Sequence, residues 1–522
     1  MSAPDAAAAQ APLILTFDVG TQSARVVLVD PDGCVLDKVK KAYETPYYSL
    51  HSNWAEQDPE VYWRTMCQAA KELCSKRPDL WPRIIAVTCT CIRGTAVCMD
   101  RYGRPIRDAI VWLDKRRTHN LPPLTKKTAA MFKVARLTEV IHTLRTHMYC
   151  NWLAINEPET WARTEKYALL STYFNVKFTG ILKDSSANMC GILPYDTKNH
   201  TWYPKRDFHR ELYLVEDRQL IPLVRPGTVL GTITGQAAAE TGVPEGLPYI
   251  VTGSDKMAET LGLSCTENTT AAISLGTLCS IQIPSKRFFN MQVILPPFPS
   301  LTGEYLNEVQ TYRGFWLVSW FKQEFAQREM DEAERLGCLA EDLLDRHLAE
   351  IPPGCDGLML QPTLTADALT PHSRGVFLGL VDKHTRYHFY RAIVEGIGFT
   401  LYAGLKSLEK AGRTTVKTVF IAGGGSNSPE ICQIMSDVLG LPVCRIQTDE
   451  ASGLGSSLLG FVTMGVYKNV PEALAHMVHE KDRFEPNEKN HALYERLFSE
   501  VYCKVFPKLV KLYVNIDHIV NT

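Results

Sequence analysis

Four stretches of this chain place acids, hydroxyls and glycines directly after a short apolar run. In the first, residues 13–17 (LILTF) lead into Asp18, Val19, Gly20, Thr21, Gln22 and Ser23. Asp18 is a hard oxygen ligand that suits Mg2+, directly or through water. Gly20 permits backbone dihedrals that other residues resist, and Thr21, Gln22 and Ser23 add small donors beside exposed N–H groups. Such a turn can wrap an anion, or it can be the polar tip of a plain hairpin. In the second stretch, residues 270–275 lead into Gly276 and Thr277. In the third, residues 416–422 lead into Gly423, Gly424, Gly425, Ser426 and Asn427, and the helix expected from Pro429 adds its own preference for negative charge. Taken singly these are common turns; together they are the parts that clamp a polyphosphate nucleotide. The fourth stretch, Thr252-Gly253-Ser254-Asp255, ends a short apolar run on an acid. Asp255 is a candidate general base, or it caps the helix that follows.

These residues need strands to carry them and helices behind the strands. Residues 13–30 read as strand, turn, strand, and the Pro31-Asp32-Gly33 turn leads to a third strand over 34–42. Asp58 and Pro59 mark the start of a helix over 59–76, with Tyr62, Met66, Ala69, Ala70 and Leu73 on one face. Strands are expected over 83–91, 94–99 and 109–112, helices over most of 122–175, a strand over 227–234, and a buried strand over 247–251 before a helix over 256–263. The segment AISLGTLCSIQI faintly repeats TFDVGTQSARVV, as one supersecondary unit used twice. Beyond it come a long helix over 387–410, a strand over 416–422, a helix over 429–439 closed by Gly440 and Pro442, a Gly/Ser turn over 451–457, and an amphipathic C-terminal helix. Trp316 and Trp320 read as core or cleft wall, Trp54, Glu56 and Gln57 as structural loop residues, and Asp331, Glu332 and Glu334 as a solvated helix face. His142 and His147 have no partner at metal-ligand spacing.

With 522 residues the chain is long enough for two or three domains. Fifty-six basic against 57 acidic residues leave a net charge of −1, which argues against nucleic acid or an anionic membrane as partner. Phosphate on a small ligand remains compatible, because backbone amides and Mg2+ neutralise it locally. The 15 cysteines are scattered, without a CxxC pair or zinc-ligand spacing, as for reduced thiols in the cytosol. Residues 1–12 carry no basic residue and read as a disordered tail without a secretory or mitochondrial leader. With no run of 18 apolar residues, the expected location is cytoplasmic. There is no GxxxxGK[ST] phosphate loop, no protein-kinase HRD or DFG set, and GGGSNS lacks the spacing of a dinucleotide fingerprint.

The segments FDVGTQSARVVLVD, NWAEQDPEVYW, AIVWLDKRR, GSDKMAETLG, ISLGT, RGVFLGL, YRAIVEGIGFTL, IAGGGSNSPEICQIMSDVLGLPV and EASGLGSSLLG occur in this order between residues 13 and 465. In this the chain resembles the FGGY carbohydrate kinases of the actin/Hsp70/hexokinase ATPase superfamily. The resemblance implies an α/β fold of two RNase H-like domains flanking a deep cleft, cut at 13–265 and 266–522. It implies ATP and Mg2+ as cofactors and a small sugar or polyol as substrate, with a homodimer possible. By position, Asp255 matches the catalytic base and Asp18 the organiser of Mg2+. Gly20, Thr21, Gln22 and Ser23 match the first phosphate loop, and Gly276 and Thr277 the second. Gly424, Gly425 and Asn427 match the adenosine turn, with Gln433 near by. Trp112 and Asp114 match the segment lining the sugar site. Arg93 falls where glycerol kinases carry an arginine, but the Glu that follows it there is absent, as is the Met-His-Gly of xylulose kinases. Lys256 replaces a Gln or Ala of several relatives; it meets a substrate hydroxyl or is solvated. The favoured reading is a ketopentose kinase acting on D-xylulose or D-ribulose. A glycerol-type polyol kinase and a non-catalytic ATP-binding protein are the alternatives.

Overall fold

The computed structural model describes residues 11–291, 296–311, 313–364 and 372–521. Residues 1–10 of the expected tail lie outside them. The described residues group into two units. Unit 1 takes residues 11–264, 296–306 and 450–479; unit 2 takes the described residues of 265–291, 307–449 and 480–521. The division is therefore no single cut near residue 265, because two later segments return to unit 1.

Unit 1 is built on a six-stranded sheet. Strand β1 (Leu13–Val19) turns back into β2 (Ser23–Val29), and β3 (Val35–Ala42) extends the antiparallel edge. Helix α1 (Pro59–Lys76) follows, with Asp58 accepting from Glu60 N at its start and Tyr62, Met66, Ala69, Ala70 and Leu73 all buried. Strand β4 (Ile84–Cys91) lies parallel to β1 on its other side. The outer strands are β5 (Val229–Thr232) and β6 (Pro248–Ser254), giving the order β5-β6-β4-β1-β2-β3. Strand β6 runs parallel to β4 and antiparallel to β5. The three central strands are buried almost throughout, as parallel strands covered on both faces must be. Helix α2 (Asp255–Gly262) starts where β6 ends.

Unit 2 repeats this plan. Strand β7 (Thr270–Leu275) forms an antiparallel hairpin with β8 (Cys279–Ser285), and β9 (Tyr305–Thr311), whose residues from Asn307 on belong to unit 2, lies beside β8. After the long helix α3 (Arg386–Gly412), β10 (Thr418–Ala422) returns parallel to β7. Helix α4 (Pro429–Leu439) then leads to β11 (Val443–Ile446), parallel to β10, and β12 (Glu480–Phe484) closes the edge antiparallel. The order β9-β8-β7-β10-β11-β12 mirrors β3-β2-β1-β4-β6-β5, so the faint echo in the sequence marks a duplicated sheet.

One expectation fails. Residues 451–457 form no turn but the first half of the helix Ala451–Thr463. Its small residues serve close packing: a Cβ on Gly455 would lie 2.0 Å from Ala258 O, and one on Gly262 of α2 would lie 2.0 Å from Ala451 O. The serines join a buried hydroxyl cluster beneath the sheet. Ser457 Oγ lies 2.7 Å from Thr16 Oγ1, Thr16 Oγ1 lies 2.6 Å from Thr88 Oγ1, and Ser456 Oγ reaches Thr88 and Thr252 at 3.2 and 3.1 Å. Residues 122–175 are mostly helical as expected, with one interruption, the strand Lys166–Leu169, which pairs with Ala96–Met99. Four residues inside a helical neighbourhood are too few to show a period of two.

Candidate active site

In unit 1 the candidate residues converge because β1, β4 and β6 are neighbours and parallel. Their carboxyl ends therefore lie side by side, the edge of an open α/β sheet where ligands bind. Asp18 is the penultimate residue of β1, Arg93 follows β4 by two residues, and Asp255 follows β6 directly.

Asp18 is 4% exposed. Its Oδ2 accepts from Arg25 Nη1 at 3.2 Å, and Arg25 stands opposite it in the hairpin register. Arg25 Nη1 also lies 3.8 Å from Glu450 Oε2, whose other oxygen accepts from Lys38 Nζ at 2.8 Å. Burial lifts the Asp18 carboxyl to about 7 against the pull of Arg25, with Glu450 and Asp255 adding to the rise. A buried oxygen donor that is costly to ionise is the kind of group a divalent cation would relieve, so the chemistry here fits Mg2+. Among the described residues no set of three or more His, Cys, Asp and Glu is placed to hold a metal by itself. Magnesium usually keeps waters and substrate phosphates as its other ligands.

Asp255 occupies the first turn of α2 while Ser254 holds the cap position. Ser254 makes no side-chain capping bond; its hydroxyl lies against Met257 Sδ at 2.9 Å. Asp255 Oδ1 accepts from Lys256 N at 2.8 Å. Burial pushes its carboxyl above the usual carboxylate range; Lys256 and Arg93 oppose the shift and Glu259 adds to it. The guanidinium of Arg93 rests over the Phe298 ring, 4.1 Å from its centre. Lys256 Nζ donates to Glu259 Oε2 at 2.9 Å, one turn along its own helix, and is largely buried.

Gly20 does not take up a left-handed backbone. Its need is for space: a Cβ would lie 3.2 Å from Ser23 O, the carbonyl that accepts from Gly20 N at 2.9 Å. Gly276 is its counterpart, with a Cβ 3.3 Å from Leu278 O. Gln22 is exposed at the tip. Trp112 Nε1 donates to Thr21 Oγ1 at 3.0 Å, so a residue expected at the sugar site braces the first loop. Asp114 is different. Its side chain has no exposed surface, and both oxygens accept from Arg116 and from backbone N–H groups of Ala55 and Arg116. The Arg116 guanidinium lies between Trp54 and Trp152, 4.0 and 4.5 Å from their ring centres, and also reaches Glu56. Asp114 therefore holds a buried ion-pair network together, and the expectation that it lines the sugar site meets a carboxylate already saturated.

In unit 2 the turn at Gly276 and Thr277 and the glycine turn at Gly423–Asn427 end adjacent parallel strands, β7 and β10. Gly423 has φ 92°, and a Cβ there would come within 2.8 Å of the Leu275 carbonyl. A side chain would push the two strand ends apart. Gly425 faces the Phe315 ring, whereas Gly424 and Asn427 are exposed and nothing lies within 4 Å of a Cβ on Gly424. Gln433 is committed elsewhere, donating to Asp437 Oδ1 and Glu485 O, both at 2.8 Å.

Arg25 and Glu450 were not among the sequence candidates. The turn residues 20–22 fix a register in which Asp18 and Arg25 face each other, so Arg25 was within reach of a hairpin argument. Glu450 lies 432 positions beyond Asp18 and carries no local mark.

Residues 13–262 match the N-terminal domain, and residues 271–464 the C-terminal domain, of the FGGY family of carbohydrate kinases. An uncharacterised sugar kinase of Escherichia coli, YgcE, is 29% identical over 94% of this chain and 92% of its own length. A xylulose kinase of Staphylococcus epidermidis is 25% identical over 98% of this chain and 99% of its own. The crystal structure of a gluconate kinase from Lactobacillus acidophilus superposes with a TM-score of 0.80 at 20% identity, covering 97% of this chain and 100% of that one. The chain belongs to the FGGY family of carbohydrate kinases, phosphotransferases with an alcohol group as acceptor.

Proposed function

We propose that this kinase transfers the γ-phosphoryl group of ATP to a hydroxyl of a ketopentose such as D-xylulose or D-ribulose, with Asp255 as the base. The observation that carries the reading is the placement of Asp255 at the ends of three adjacent parallel strands, with Asp18 and Arg93 close enough to shift or oppose its charge. The attacking hydroxyl gives its proton to Asp255 as its oxygen bonds to the γ-phosphorus, and the bond to the bridging oxygen of ADP breaks. A carboxylate raised towards neutrality is a better base than an ordinary one. Gly20, Thr21, Gln22 and Ser23, with Gly276 and Thr277, are assigned to the phosphates through their backbone amides. Gly424, Gly425 and Asn427 are assigned to adenosine. Asp18 is the residue that would hold Mg2+, which supplies neutralising charge on the phosphates when bound.

The near full-length xylulose kinase relative supports a ketopentose. Arg93 beside Asp255 supports a second reading, a polyol of the glycerol type. A coupled assay of ADP release across ketopentoses, aldoses, polyols and gluconate decides between them. Turnover with a ketopentose at least tenfold above the other classes is expected; turnover with glycerol and no ketopentose would establish the second reading instead.

A further inference from the structure

Two carbonyls of the glycine turn of unit 2 are held by the side chain of Arg445. This residue lies on β11, directly opposite Asp482 of β12 in the antiparallel register. Its Nη1 donates to Ser426 O and to Asn427 O, each at 3.0 Å. Its Nε and Nη2 reach Asp482 Oδ2 at 3.0 and 2.7 Å, and the guanidinium packs over Phe484 with its centre 5.4 Å away. Ser426 O accepts a further bond from Cys432 Sγ at 3.3 Å. Gly423 O accepts from both the N–H and the hydroxyl of Ser426, at 3.0 and 2.7 Å. The carbonyls of Ser426 and Asn427 are thus drawn towards Arg445, while that of Gly423 is closed on Ser426 within the turn.

A peptide unit is planar and trans, so its C=O and the next residue's N–H point opposite ways. Drawing in the carbonyls of Ser426 and Asn427 turns the N–H groups of Asn427 and Ser428 away from Arg445. Gly424 and Asn427 are exposed, whereas Ser428 is buried. We propose that Arg445 is a positioning residue for the nucleotide: by pinning two carbonyls away from the ligand, it presents the turn's amides to it. The inference rests on the assignment of Gly424–Asn427 to adenosine. Arginine suits the task because its planar fork engages two carbonyls and a carboxylate at once. A lysine in its place keeps a charge for Asp482 but cannot span all three acceptors.

The test is calorimetric titration of ADP into the full-length chain, beside thermal unfolding of the same samples. Arg445→Lys is expected to keep the unfolding midpoint and to weaken ADP binding about tenfold, the order of one lost charge-assisted hydrogen bond. Arg445→Met should lose affinity at least as far; if it fails to fold, the lysine variant decides alone. A folded Arg445→Lys with ADP affinity within threefold of wild type overturns the inference. So does a loss of affinity that merely follows a lowered unfolding midpoint. Gly424→Arg separates the two layers of the argument, since it fills open space without touching Arg445. If it abolishes ADP binding while Arg445→Lys binds normally, the adenosine assignment stands and the positioning role fails. If a folded Gly424→Arg binds ADP as wild type does, the assignment fails and takes the inference with it.

Discussion

Asp255 and Asp18 are both carboxyls whose ionisation is opposed by burial, yet they differ in what surrounds them. Asp255 has two cations within electrostatic reach, Lys256 and Arg93, whereas Asp18 has Arg25 against two further acids. The proposed base and the proposed cation holder thus sit in different fields, although Glu259 also adds to the rise at Asp255. Asp255→Asn should fold and bind ADP while turnover falls by about 10²–10⁴-fold, the scale of a lost general base. Turnover near wild type would sink the assignment. For Asp18 the folded carboxyl, at about 7, lies above its ordinary value of 3.8. Its proton is therefore bound more tightly folded than unfolded. The cost of losing it grows as pH rises through this window and is complete above about 7. Without added metal or nucleotide, Asp18→Asn should gain stability relative to wild type by about 2–3 kcal/mol between pH 5 and pH 8. Unfolding in denaturant at the two pH values measures it; a constant difference between the two proteins would refute the raised value.

At the scale of elements, the decisive contact is between α2 and the helix Ala451–Thr463. Glycines on both helices let the backbones meet, and the contact fixes the helix whose first residue is Asp255. Gly455→Ala sets a methyl group against the Ala258 carbonyl, and overpacking of this kind costs about 1–3 kcal/mol. The expected result is a lower unfolding midpoint together with lower turnover, because α2 must shift to make room. An unchanged midpoint would show that the contact is softer than its geometry. This same element marks the limit of what the sequence could disclose. The hairpins, α1 and α4 were legible because their apolar period and caps are local. Residues 451–457 carry Gly and Ser for the sake of a partner helix nearly 200 residues earlier, so their composition imitates a turn. Asp255 and the glycine turns were visible as polar breaks after apolar runs. Arg25, Glu450 and the saturation of Asp114 depend on pairings that no local text records.

At the scale of the whole molecule, unit 1 is discontinuous: the helix under its central strands belongs to residues 450–479. Thr16 and Thr88 meet each other directly, and Ser456 and Ser457 add the contacts that join Thr252 to the cluster and tie it to the late helix. A chain ending at Ser264 is expected to give no cooperative thermal transition by circular dichroism. The same chain with residues 450–479 attached through a flexible linker should regain one. A sharp transition in the short form would show that the sheet stands without that helix.

The hydroxyl pair Thr16–Ser457 spans 441 positions, and this bears on how the protein is made. At about 5–20 residues per second, the ribosome needs roughly 10–40 s to pass from Ser264 to the end of that helix. Through this interval the sheet that carries Asp18 and Asp255 has one face still without its cover. A nascent chain in that state exposes apolar strands and is a client for chaperones, and slower synthesis lengthens the exposure. The yield of folded kinase in a cell should therefore depend on translation speed between residues 265 and 463 more than on speed in the final 40 residues.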